Sequence, residues 1–126
     1  MTFEELISHA KAVFTPRQIA RSAWAGSVAA ALLTEKGSVY TGVCIDTCSG
    51  MGFCAEHAAI AAMITAGESR IVKAVAIGSE GVLPPCGRCR EFMSQIDDKN
   101  GSAEVMVSAD AIVTLEALLP FNWESV

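Results

Sequence analysis

A chain of 126 residues that is 52% apolar and only 18% charged can build one core, and it lacks the low hydrophobicity and high charge of a disordered chain. Nine Lys and Arg against 14 Asp and Glu leave a net charge of −5, which speaks against a nucleic-acid partner, because phosphate binding needs basic residues gathered on one face. The longest apolar run, Ala58 to Ile64, falls far short of the roughly 20 residues of a membrane span, and the acidic start Met1-Thr2-Phe3-Glu4-Glu5 does not read as a secretory leader. The expectation is a single cytoplasmic domain over residues 1–126 that handles a small ligand, with no membrane partner.

Phe3, Leu6, Ile7, Ala10, Val13 and Phe14 recur at helical spacing, with Thr2 and Glu5 placed as a capping box, so the chain opens on an amphipathic helix that stops before Pro16. Ser27 to Thr34 and Val39 to Ile45 read as two strands joined by the short loop Glu35-Lys36-Gly37-Ser38. Asp46 to Phe53, with Gly50 and Gly52, reads as a loop. Cys54 to Ala66 is alanine-rich and of high helix propensity, and Gly67 stands where a helix would close. Ile71 to Ile77 follows as a strand, Gly78 to Pro85 as a loop and Cys86 to Asp97 as a helix, with Pro at its entry and a turn through Gly101 at its exit. Glu104 to Ser108 and Ala111 to Thr114 are linked too tightly for a crossover helix, which predicts an antiparallel pair. A last helical turn, Leu115 to Leu119, ends at Pro120. The order α-β-β-α-β-α-β-β-α predicts a three-layer α/β/α sandwich around a mixed five-stranded sheet. Met51, Met63, Met93 and Met106 read as core filler.

The chemistry is concentrated in the cysteines. Five of them, Cys44, Cys48, Cys54, Cys86 and Cys89, make an odd number for a disulfide framework, and clustered thiols in a reducing compartment are more often metal ligands or catalysts than bridges. Cys54-Ala55-Glu56 opens one predicted helix and Pro85-Cys86-Gly87-Arg88-Cys89 opens another, with 31 residues between Cys54 and Cys86. Each follows a strand and a loop, so both helix N-termini can meet at one sheet edge. The positive end of a helix lowers a cysteine pKa, and Cys86 and Cys89 lie one turn apart. With Cys54 they supply three protein ligands and leave a fourth tetrahedral position for water, the layout of a catalytic zinc. Glu56 then falls beside that water. Three thiolates leave such a site net negative, and the candidate counter-charges are the two helix N-termini together with Arg88 or Arg90.

Two readings from other classes stand beside this one. Cys86 and Cys89 fit the redox pair of a thiol–disulfide oxidoreductase, and Cys44 or Cys48 as a fourth ligand would close a zinc-binding module without turnover. Outside the motifs, His57 reads as a surface or supporting residue and His9 as solvated. Cys44 and Cys48 read as spare thiols of a pocket wall, and Trp24, Phe121 and Trp123 as plain packing, pocket lining or a bridge between subunits.

C-x-E followed by P-C-x-x-C is a pattern known from zinc deaminases, here in a three-cysteine form. Together with Tyr40-Thr41-Gly42-Val43, Arg90 and Leu118-Leu119-Pro120 it makes the stretch from about Ser27 to Trp123 resemble the small-subunit cytidine deaminase family and the related blasticidin S deaminases. The resemblance implies the fold of that family, one Zn²⁺ per chain on Cys54, Cys86 and Cys89, and Glu56 as proton shuttle. It implies hydrolytic deamination of cytidine or deoxycytidine, as in pyrimidine salvage, or else detoxification of a cytosine nucleoside antibiotic. It also implies a homotetramer and a substrate-binding set of Cys44, Asp46 and Ala55, the last through its backbone at the pyrimidine carbonyl. The departures fall around the sugar and the metal: Cys44 and Asp46 stand where the family usually has Asn and Glu, Gly26 where it has a Phe near the base, and His57 where it has Arg. The ungapped stretch Ser27 to Ile45 and the Trp123 ending look closer to blasticidin S deaminase.

Overall fold

In a computed structural model that describes residues 1–125, the first helix, α1 (Phe3–Val13), is capped by Thr2, whose hydroxyl accepts from the Glu5 backbone N–H at 3.1 Å. Glu4 and Glu5 in its first turn and Lys11 in its last complement the helix dipole. Seven strands follow in one sheet: β1 (Arg17–Ala20), β2 (Ala23–Thr34), β3 (Val39–Thr47), β4 (Ile71–Gly78), β5 (Gly81–Leu83), β6 (Glu104–Ser108) and β7 (Ala111–Thr114). Two longer helices complete the fold, α2 (Ala55–Thr65) and α3 (Gly87–Gln95), with short 3-10 turns at Asn100–Ser102, Glu116–Leu118 and Trp123–Ser125.

The long β2 is the spine. β3 pairs along it antiparallel from Ala23↔Thr47 to Leu33↔Val39, and β4 pairs antiparallel with its second half from Ala29↔Ile77 to Thr34↔Ile71. β4 and β6 are parallel through α3, and β6 and β7 form the expected antiparallel end pair with Glu104↔Thr114 and Val105↔Val113 in register. The sheet is therefore mixed, as expected, but it has seven strands where the sequence predicts five. The additional β1 is exposed at all four positions and pairs only with the start of β2, so it carries no apolar alternation to read. The additional β5 is a three-residue return on β4 across Gly78↔Gly81, hidden inside a stretch read as loop.

Period-two alternation splits β2 between two cores. Ala29, Ala31 and Leu33 face α1, packed with Phe3, Leu6, Ala10, Val75 and Ile77. Leu32 belongs to the opposite core with Ala59, Ile60 and Met63 of α2, and with Cys89 and Met93 of α3. These are the three predicted layers. Met63 and Met93 are buried as expected, whereas Met51 is 79% exposed on the loop after β3, because that loop lies outside both layers. No helix among the described residues is long and apolar enough to cross a membrane.

Candidate active site

A loop closed back on itself delivers the first motif. Ile45 and Phe53 exchange backbone hydrogen bonds of 3.0 and 2.9 Å, which fold residues 46–53 over the end of β3 and stop the chain at the start of α2. Gly52 permits this closure, since a Cβ there would stand 1.7 Å from the Ile45 carbonyl oxygen. Cys54 is then the N-cap of α2 and Cys86 the N-cap of α3, both with extended backbone angles. Each helix thus begins one residue later than the predicted span, and each cysteine sits at the positive end of its helix.

Cys54, Cys86 and Cys89 come together: their sulfurs lie within 4.8 Å of one another, and Cys54 and Cys86 are 3.3 Å apart. Three sulfurs at about 2.3 Å from one tetrahedral ion stand about 3.8 Å from each other, so this donor set fits zinc once the Cys54 and Cys86 sulfurs spread by about half an ångström. Cys89 is fully buried, Cys54 half-buried and Cys86 exposed. In the metal-free chain burial pushes the Cys89 and Cys54 thiols up. Burial also opposes ionisation of Cys86, but the backbone N–H of Cys89, the neighbouring thiols and the backbone N–H of Arg88 outweigh it and hold that thiol below its usual value. These N–H groups approach the Cys86 sulfur without closing a full cap hydrogen bond. Neither Cys44 nor Cys48 joins the cluster. Cys44 is buried with its sulfur 3.3 Å from the Ser27 hydroxyl, and Cys48 is exposed, so the described residues leave the fourth position open.

Beside the sulfurs lies a cavity of about 510 Å³ whose wall includes Cys54, Ala55, Glu56 and Cys86 on the metal side and Ser27, Cys44 and Asp46 on the β2–β3 side. All three residues expected to meet a substrate, Cys44, Asp46 and Ala55, line it. Glu56 is 5% exposed, and burial raises its carboxyl above the usual range, against the stabilising effect of its own backbone N–H. Ser27, Phe53, Leu83 and Pro84 also line the cavity and escaped sequence reasoning. Ser27 sits in an irregularity of β2, between Ala25 and Ala29, whose one mark in the sequence is Gly26 at φ +82°. Leu83 arrives on the unforeseen β5.

His57, one residue beyond Glu56, stacks on Phe92 at 4.3 Å and tilts against Phe53 at 5.5 Å. Its buried Nδ1 has no hydrogen-bond partner among the described residues, and burial followed by the Arg88 charge lowers its pKa. Gly26 has φ +82° and a Cβ there would lie 2.1 Å from the Thr15 carbonyl oxygen, so the site keeps no side chain at that position.

The approach of α2 to the sheet rests on Gly42 of β3, where a Cβ would fall 2.4 Å from the Ala59 backbone nitrogen and 2.7 Å from the Ala55 oxygen. Gly42→Ala must push the N-terminal half of α2 outward and carry Cys54 and Glu56 with it. A misplacement of about 1 Å at a catalytic group costs roughly 10²-fold in rate, and overpacking costs about 1–3 kcal/mol. The expected result is a lowered melting temperature with a larger fall in kcat than in zinc content, read by thermal melts, metal analysis and steady-state kinetics.

The family model of the cytidine and deoxycytidylate deaminase zinc-binding region matches residues 4–105. The chain belongs to that family. Cytidine deaminase of Mycobacterium tuberculosis is 34% identical over 83 residues, 64% of this chain and 59% of that protein, so the match spans less than two thirds of the relative's length. The Sporosarcina psychrophila cytidine deaminase is 33% identical over 111 residues, covering 86% of this chain and 78% of that one. The crystal structure of the M. tuberculosis cytidine deaminase superimposes with a TM-score of 0.79 at 26% identity, covering 96% of both chains. The fold is that of the cytidine deaminases. Zinc is the metal of this family, and the cluster of Cys54, Cys86 and Cys89 gathers the donors for it.

Proposed function

We propose that the chain is a hydrolytic deaminase that converts a cytosine nucleoside, cytidine or deoxycytidine, and water into the uracil nucleoside and ammonia. The observation that carries this reading is the buried Glu56 next to the three-thiol cluster on the wall of a cavity of nucleoside size. Zinc bound by Cys54, Cys86 and Cys89 would lower the pKa of a water in the open position and supply the nucleophile. Glu56, with its carboxyl raised by burial, takes the proton of the attacking water and delivers it to ring N3, then takes the remaining proton from the new C4 hydroxyl and hands it to the leaving amine as the C4 carbonyl forms. The Ala55 backbone N–H lies in the first turn of α2, where it lacks an intrahelical acceptor, and donates to the pyrimidine carbonyl oxygen. Asp46 accepts from sugar hydroxyls on the opposite wall, and Cys44 fills the position beside it.

An absorbance assay of metal-analysed protein on cytidine, deoxycytidine, cytosine and blasticidin S tests this. Turnover of either nucleoside, lost on chelation and restored by Zn²⁺, supports the proposal and a place in pyrimidine salvage. Turnover of blasticidin S alone assigns the Cys44–Asp46 wall to an antibiotic and overturns the sugar reading. Silence on all four with one zinc per chain overturns the deaminase itself.

The same reading takes the protein as a cytoplasmic homotetramer. In support, α2 is apolar around nearly its whole circumference, with Ile64 44% exposed, and Phe121 and Trp123 also lie exposed. Light scattering at working concentration checks the assembly, and a monomer mass overturns it.

A further inference from the structure

The pairing of β2 with β3 breaks at the cavity. Ala25 stands opposite Ile45 and Ala29 opposite Val43, so β2 takes four steps where β3 takes two and carries two extra residues across from Cys44. Gly26, at φ +82°, makes the bend, and its carbonyl accepts from the Thr15 N–H at 3.2 Å, which braces the bulge against the chain before β1. Strict alternation back from Ala29, Ala31 and Leu33 would point Ser27 toward α1. The bulge turns it to the opposite face: Ser27 lines the cavity, and its hydroxyl meets the Cys44 sulfur at 3.3 Å.

Three polar side chains thereby stand in a row on this wall, Ser27, Cys44 and Asp46, with the Cys44 sulfur 3.9 Å from Asp46 Oδ2. The middle one is a poor partner for a sugar, since Cys44 is buried and a thiol is a weak donor and a weak acceptor. The flanking two are exposed, and apart from that sulfur their side chains make no hydrogen bond among the described residues. The Ser27 hydroxyl can donate once and accept twice, whereas a carboxylate such as Asp46 only accepts. The wall therefore offers two separate strong partners, one on each side of a weak one.

We propose that Ser27 is a specificity-determining substrate contact: its hydroxyl bonds one of two vicinal sugar hydroxyls while Asp46 takes the other, so the site favours a ribonucleoside over its deoxy counterparts. The inference rests on the deaminase reading and names the substrate class on its sugar side. A site built to hydrogen-bond a hydroxyl rejects the analogue that lacks it, because the polar group of the site is left unpaired.

Equilibrium binding of cytidine, 2′-deoxycytidine and 3′-deoxycytidine is measured by calorimetry on zinc-loaded Glu56→Gln protein with Ser27 intact or replaced by Ala or Thr. With Glu56 in place, kcat/KM is measured on the same three nucleosides. With Ser27 intact, cytidine binds tighter than either deoxy analogue. Ser27→Ala is expected to weaken cytidine by about 2- to 12-fold, the span of a neutral hydrogen bond. It leaves unchanged the affinity for the one deoxy analogue that lacks the hydroxyl Ser27 meets, and so erases the preference over that analogue. Ser27→Thr keeps the hydroxyl and restores most of the preference. The side chain is exposed, so the melting temperature of Ser27→Ala stays near that of the parent. An equal loss on all three nucleosides, no loss on any, a loss that Ser27→Thr shares in full, or no binding of any of them overturns the proposal. The binding readout needs no turnover, so a Ser27-dependent preference in binding beside silence in kcat overturns the deaminase reading alone.

Discussion

Glu56→Gln is expected to retain one zinc per chain and to lose cytidine turnover by about 10³-fold or more, within the range that general acid–base catalysis contributes. The amide has the shape of the carboxyl it replaces, so the three sulfurs keep their positions while the group that moves the proton is gone. Glu56→Asp keeps the acid but draws it back by one methylene, and an intermediate rate is expected. Metal analysis beside kcat separates the two effects: comparable turnover in Glu56→Gln would sink the assignment of the proton shuttle. Stability moves the other way. A carboxyl whose folded pKa lies above its unfolded value favours the fold below the unfolded pKa and loses that contribution as pH rises through the folded pKa. The metal-free Glu56→Gln chain should therefore melt above the parent at neutral pH, and the gap should narrow as pH falls toward the ordinary carboxylate range.

Asn100→Ala is the substitution expected to cost the fold most. The side chain is fully buried, accepts from the Ile71 N–H at 2.8 Å, and donates to the Ser69 carbonyl at 3.0 Å and the Met93 carbonyl at 2.9 Å. One amide thereby ties the start of β4, the end of α3 and the turn before β6. Truncation strips the buried Ile71 N–H and Met93 carbonyl and the half-buried Ser69 carbonyl of this partner, and each of the two buried groups left unpaired costs about 1–3 kcal/mol. A loss of roughly 3 kcal/mol or more corresponds to a fall of about 10 °C or more in melting temperature. Zinc affinity should weaken as well, since α3 carries Cys86 and Cys89. Asn100→Asp keeps only the acceptor and buries a charge, so it should fall in the same direction; a melting temperature within about 2 °C of the parent for Asn100→Ala would contradict this role.

The metal donors and the buried acid were legible because their chemistry is local. A cysteine just ahead of an alanine-rich run and a second at a proline-marked helix entry are helix-start positions in any fold that makes those helices, and both proved to be N-caps. The end strands Glu104–Ser108 and Ala111–Thr114 matched residue for residue, since a two-residue link leaves one pairing open to them. The missed elements lack such local marks. β1 is exposed on both faces, β5 has three residues, and Met51 belongs to a loop whose course is set by the bridge between Ile45 and Phe53, not by its own composition.

By itself, then, the amino-acid order determined the helices, the five principal strands, the layer order and the residue types able to hold zinc, because periodicity, capping residues and turn residues act over a few positions. Only the tertiary structure decided what those residues face. Whether two N-caps 32 positions apart share one ion depends on how β4 crosses back beside β2, and whether α2 reaches the sheet depends on a missing Cβ at Gly42. The pairing of Cys44 with Ser27 and the place of Arg88 on the cavity wall follow from the same long-range packing, in which chain segments far apart in order are brought together by the burial of apolar surface.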